Sequence, residues 1–178
     1  YEAVLTRDAD SILAADHVIL PGVGAFGDAM DKLSAYGLVD VIRSVAERGI
    51  PFLGICLGLQ LMFESSEEAP GVEGLGLLKG NILRIPEKDD LKIPHIGWNS
   101  LQYPLQGRLF AGIPEEAYVY FVHSYYLRAQ EPEIVKAVTE YGVEIHASVE
   151  KDNLFACQFH PEKSSDVGMK ILQNFMEI

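Results

Sequence analysis

Apolar positions in the first half of the chain alternate between short unbroken runs and stretches of helical spacing. Glu2 to Thr6 opens the chain with a strand-like pattern. Asp16 to Leu20, ended by Pro21-Gly22, reads as a buried parallel strand. Met30, Leu33, Leu38, Val41, Ile42 and Val45 then recur at helical spacing until Gly49 supplies a stop. Pro51 to Ile55 is the next buried strand, and Leu57 to Phe63 resumes as a helix. Strand, helix, strand, helix predicts an α/β fold: a mostly parallel central sheet with helices on both faces.

From Gly80 onward the texture changes. Residues 81–85, 118–122, 135–139, 145–149 and 154–158 are short strands separated by Pro, Gly and charged turns, which predicts an antiparallel extension of the same sheet. A last helix starts near Ser164 or Ser165 and places Val167, Ile171, Leu172, Phe175 and Met176 on its apolar side. No internal repeat, low-complexity stretch or linker interrupts this order, so one domain over 1–178 is the expectation.

Charge narrows the partners. Lys plus Arg number 14 against 26 Asp plus Glu, a formal net charge of −12, and that field repels nucleic acid. No apolar run approaches membrane-spanning length, and nothing resembles a signal or transit peptide. Two cysteines are too few for a disulfide framework. A soluble, cytoplasmic protein is expected.

The candidate chemistry begins at Cys56. Gly54-Ile55-Cys56-Leu57-Gly58 has the form strand, then G-x-C-x-G, then helix, the cysteine version of a nucleophile elbow. A tight turn there pushes Sγ outward, and the helix beginning at Leu57 aims free N–H groups at the sulfur, favouring thiolate. The competing reading is a small core residue at a strand end. Cys157, inside a strand and facing away from Gln158, reads as core.

An apolar strand delivers His160 at its end, Pro161 turns the chain, and Glu162 follows two residues after the imidazole. A carboxylate there can hold one ring nitrogen and leave the other facing a thiol, which makes Cys56, His160 and Glu162 a triad. His17 and His146 sit in predicted strands and read as structural; no chemistry is assigned to His95 or His123. The loop Pro21-Gly22-Val23-Gly24-Ala25-Phe26 competes as a phosphate cradle, yet it lacks the P-loop lysine and the third Rossmann glycine. Beside a thiolate it suits presenting N–H groups to an oxyanion; a plain tight turn is the alternative.

With these segments in view, the chain resembles the class I (triad-type) glutamine amidotransferases, whose flavodoxin-like fold it would share. The elbow, the Pro21-Gly22-Val23-Gly24 loop and His160-Pro161-Glu162 match that family in order. More narrowly, Pro21 to Phe26, Pro94 to Asn99, Tyr120 to Tyr125 and His160 to Ser165 are similar to the glutaminase subunits of imidazole glycerol phosphate synthases. The resemblance implies hydrolysis of glutamine through a Cys56 thioester, with backbone N–H groups of Gly24 and Leu57 serving the oxyanion. It implies Gln60, Glu68, Ser124 and Tyr125 as holders of the glutamine amino-acid moiety. It also implies Trp98, Tyr120 and Lys163 as residues facing a partner, a (β/α)₈-barrel cyclase in a heterodimer that uses the ammonia in histidine biosynthesis. Neither metal nor cofactor is expected. Members of this family begin with a further strand, a loop and a helix before the position of Tyr1, so a longer polypeptide is expected. The alternatives are the glutaminase subunit of another biosynthetic amidotransferase, a cysteine-dependent hydrolase of the same architecture, and a catalytically dead interaction module.

Overall fold

The computed structural model describes residues 2–178. Its main sheet has five strands in the order β1-β2-β10-β9-β8. β1 (Val18–Gly22), β2 (Phe52–Cys56) and β10 (Leu154–Cys157) run parallel, and β9 (Glu144–Lys151) and β8 (Val135–Glu140) continue the sheet antiparallel. Side chains alternate across the central strands. Phe52, Leu154 and Ala156 face one core with Phe26, Met30, Leu33, Ile42 and Val45. Leu53, Ile55, Phe155 and Cys157 face the other, with Ile171 and Phe175. Helices α2 (Phe26–Ala35) and α3 (Leu38–Glu47) therefore cover one face and α5 (Ser165–Met176) the opposite one. This is the expected α/β architecture.

Three readings of the chain are corrected. Glu2 to Thr6 is not a strand: these residues are exposed and without regular structure. A strand pattern needs a neighbouring ladder, and these residues have none among the described residues. Order begins with Asp8, whose carboxylate accepts from Ser11 N–H at 2.9 Å and caps α1 (Ala9–Leu13), a short helix not anticipated. Second, the apolar series from Met30 to Val45 spans two helices. The five-residue step from Leu33 to Leu38 breaks the rhythm, and Gly37 there takes a left-handed φ of 67°.

Third, the antiparallel second half does not all join the main sheet. β4 (Gly80–Arg84) pairs with β7 (Tyr125–Ala129) and with the two-residue β3 (Ser65–Ser66), while β5 (His95–Ser100) pairs with β6 (Tyr118–His123). These two small sheets flank the carboxyl ends of the parallel strands. Among the described residues no helix is long and apolar enough to cross a membrane.

Candidate active site

β2 ends at Cys56 and the five-residue helix α4 (Leu57–Leu61) starts at once. Cys56 carries the cost of that junction, with φ 55° and ψ −109°, a conformation that L-residues with side chains rarely adopt. The flanking glycines are required by close approach. A Cβ on Gly58 would lie 1.9 Å from the Leu20 carbonyl oxygen of β1, and one on Gly54 would lie 2.8 Å from the Gly58 carbonyl. The G-x-C-x-G pattern is thus the space needed for α4 to sit against β1 and β2.

The sulfur is nearly closed off, at 7% exposure. Burial pushes the Cys56 thiol up to about 11; the Leu57 N–H, the Gln158 amide and the Lys163 charge pull the other way, and Glu162 adds to the rise. The Leu57 N–H does favour thiolate, as expected of the helix start, but burial outweighs it. A single short helix supplies too small a field to offset desolvation.

β10 lies beside β2 in parallel register, with Cys157 opposite Ile55, so both strands end at the same edge. His160 follows β10, and the 3₁₀ turn Pro161–Lys163 folds Glu162 back until its Oε1 lies 2.6 Å from His160 Nδ1. The carboxylate accepts, so Nδ1 carries the proton and Nε2 is left as an acceptor. Nε2 is buried and has no hydrogen-bond partner among the described residues. The backbone of His160 is clamped: its N–H donates to the Tyr120 carbonyl at 2.9 Å, and the Ser164 hydroxyl donates to its carbonyl at 2.7 Å. The same hydroxyl accepts from Tyr120 N–H at 3.0 Å. Ser164 was expected only as a helix cap.

Cys56, Leu57, Gln60 and His160 line one cleft of about 340 Å³, and so do Gly24, Glu68, Ser124 and Tyr125. Every residue proposed for the nucleophile, oxyanion and amino-acid roles is therefore brought together, with Glu162 behind His160. Gly24 has φ 103°, which explains the glycine without any crowding, since a Cβ would meet nothing within 4 Å. Glu68 is half-buried, and its Oε2 accepts from Phe26 N–H at 2.8 Å, anchoring the start of α2 just after the Gly24 loop.

Trp98, Tyr120 and Lys163 do not line this cleft. Trp98 is 51% exposed, with its ring edge-on to Tyr120 at 6.1 Å across the β5–β6 pair, and Lys163 is exposed in the turn after His160.

Two features of the site went unread in the sequence. His123 lines the cleft and joins a buried chain: its Nδ1 lies 2.8 Å from the Tyr125 carbonyl and its Nε2 lies 3.0 Å from His95 Nδ1. The carbonyl can only accept, so His123 carries its proton on Nδ1 and His95 donates from Nδ1. Burial lowers both imidazoles, to about 3 for His123 and about 4 for His95. The second feature is Gln158, fully buried, whose Nε2 points to Cys56 Sγ at 3.7 Å. His146 and Cys157 are structural, as expected: Ala129 N–H donates to His146 Nδ1 at 3.1 Å, and Cys157 is fully buried.

A thiol and a carboxylate-held imidazole at the rim of one cleft, beside a glycine loop and a helix start, suit acyl transfer. Residues 3–178 match the family described as glutamine amidotransferase class-I. The imidazole glycerol phosphate synthase subunit HisH of Moorella thermoacetica is 54% identical over 178 residues, covering 100% of this chain and 84% of that protein. The HisH subunit of Methanocaldococcus jannaschii is 48% identical over 177 residues, covering 99% of this chain and 88% of its own. A crystal structure of a glutamine amidotransferase aligns over 99% of this chain and 86% of that one, with a TM-score of 0.76 at 20% identity.

Proposed function

The chain belongs to the class I glutamine amidotransferases, and from that premise we propose that it is the glutaminase subunit of an imidazole glycerol phosphate synthase. It hydrolyses glutamine to glutamate and passes the ammonia to a cyclase partner in histidine biosynthesis. The observation that carries the reading is the cleft shared by the Cys56 thiol and the free Nε2 of His160, whose Nδ1 is held by Glu162 at 2.6 Å.

The mechanism follows from the protonation states. His160 Nε2 takes the thiol proton as the sulfur adds to the δ-amide carbon of glutamine. Negative charge collects on the former carbonyl oxygen, for which the Leu57 N–H and the Gly24 loop are the donors. The imidazolium, stabilised by Glu162, gives its proton to the departing nitrogen; the C–N bond breaks and ammonia and a γ-glutamyl thioester result. Water then loses a proton to Nε2 and attacks the thioester carbon. The C–S bond breaks with its electron pair on sulfur, and His160 returns the proton, releasing glutamate.

Recognition of glutamine uses the polar side chains lining the cleft. Glu68 supplies a carboxylate for the α-ammonium group, while Gln60, Ser124 and Tyr125 hold the rest of the amino-acid moiety. The partner is a (β/α)₈-barrel cyclase, contacted through Trp98, Tyr120 and Lys163 beside the β5–β6 pair, and the pair of subunits works in the cytoplasm. Direct transfer matters because free ammonia would protonate in water.

The test is co-purification with a cyclase subunit and an assay for imidazole glycerol phosphate formed at the expense of glutamine. Product made from added ammonium salts but never from glutamine would defeat the proposal. So would a Cys56→Ser chain that liberates ammonia at the parental rate.

A further inference from the structure

The orientation of two buried side-chain amides can be read without ambiguity from their partners. The Tyr125 carbonyl only accepts, so the Gln60 atom 3.1 Å from it is Nε2. The same Nε2 lies 3.1 Å from Gln158, so the Gln158 atom it meets is Oε1. Gln158 Nε2 is then the atom left to face Cys56 Sγ, at 3.7 Å. Gln158 is fully buried and Gln60 is 5% exposed, so bulk water does not compete for these bonds. The Gln158 backbone is fixed as well, its N–H donating to the Ala147 carbonyl at 2.8 Å.

We propose that Gln158 is a positioning residue of the glutaminase reaction: Tyr125 and Gln60 aim its side-chain N–H at Cys56 Sγ, so that the sulfur meets a fixed donor whenever it carries charge. The inference rests on Cys56 being the nucleophile. Its need is physical, because a sulfur this deeply buried has little water to solvate an anion. During acyl transfer the Leu57 N–H serves the oxyanion, while the Gln158 N–H stays with the sulfur. It acts twice: when Cys56 gives its proton to His160, and when thioester cleavage leaves the electron pair on sulfur. The charged and titratable groups around the sulfur are His160, Glu162, Lys163 and Cys157, together with Glu68 and His123 on the cleft wall.

The experiment reads Cys56 itself rather than glutamine turnover, so a chain that fails to hydrolyse glutamine still answers it. In the complex with the cyclase, alkylation of Cys56 by iodoacetamide is followed against pH by peptide mass. Gln158→Met, near the same size but without a donor, is expected to slow alkylation at pH 8 by about tenfold and to move the profile to higher pH. Gln158→Glu is expected to slow it further, since a carboxylate oxygen then faces the sulfur. Both are checked for parental melting behaviour. A Gln158→Met profile that superimposes on the parental one overturns the proposal. Should neither variant fold, the Gln158 side-chain amide is followed by ¹⁵N NMR in the parental and Cys56→Ala chains. Its protons are expected to move upfield when the sulfur is removed, and unchanged resonances overturn the proposal.

Discussion

The Cys56 sulfur and His160 Nε2 border the same cleft without a hydrogen bond between them; the sulfur's side-chain donor is Gln158 instead. The proposed nucleophile and base thus face one cleft with no direct hydrogen bond in the unliganded chain. Burial, which pushes the thiol up to about 11, opposes ionisation of the sulfur.

That state has a pH signature. With burial pushing the Cys56 thiol up to about 11, thiolate is the minor form at neutral pH in the absence of glutamine. Alkylation is expected to rise roughly tenfold per pH unit with no plateau below about pH 10. Rates that level off near neutrality would show a thiolate already formed.

Glu162 holds the His160 tautomer, and its loss should act on turnover more than on binding. Glu162→Ala is expected to lower glutaminase kcat by about 10²–10⁴-fold with KM little changed. Glu162→Gln should lose less, because its amide oxygen can still accept from Nδ1. Equal losses in the two variants, measured by steady-state ammonia release, would assign the effect to charge alone.

The elbow glycines should separate two kinds of cost. Gly58→Ala drives a Cβ to within 1.9 Å of the Leu20 carbonyl, so β1 and α4 must part. A loss of about 1–3 kcal/mol or more in urea unfolding is expected, together with loss of activity. Gly24→Ala meets no atom within 4 Å but keeps a φ of 103°, so its cost in stability is about 1–2 kcal/mol. Activity should still fall, since that loop borders the cleft. A fully active Gly24→Ala chain would remove the loop from the oxyanion role.

The His95–His123 pair sets an acid limit. Both folded-state values, about 4 and about 3, lie below the unfolded value of about 6.5, so the unfolded chain binds more protons as pH falls. Stability from this pair is complete above about pH 6.5 and declines below it until pH passes the folded values. Each imidazole contributes up to about 1.4 kcal/mol per pH unit inside that window. Replacing both by Asn should flatten the acid limb of a plot of unfolding free energy against pH; an unchanged slope would place the sensitivity elsewhere.

Much of this site was legible in the sequence because its residues are read locally. The elbow, the turn at His160 and the Gly24 loop each announce themselves within a few positions. Gln158 and Ser164 do not: one directly follows an apolar strand and the other sits at a helix start, and their partners come from segments far along the chain. The strand reading at Glu2 to Thr6 failed for a related reason, since alternation says a strand can form but not whether a neighbour is there to pair with it. β5 and β7 were missed where glycine, tryptophan and tyrosine obscure the period of two, although their ladders are regular once both partners are seen.

Cys56 and Gln158 stand 102 positions apart, yet Cys56 ends β2 and Gln158 follows directly on β10, its neighbour in the sheet. Between β2 and β10 the chain makes α4, both small sheets and the antiparallel strands β8 and β9 before it returns to the parallel ladder. Tyr120 of β6, within that stretch, holds the His160 backbone, so the spacing of sulfur and imidazole rests on the β2–β10 ladder and on β6 together. Only those loops of the stretch that touch neither Tyr120 nor the cleft wall are therefore free to be redrawn without moving the site.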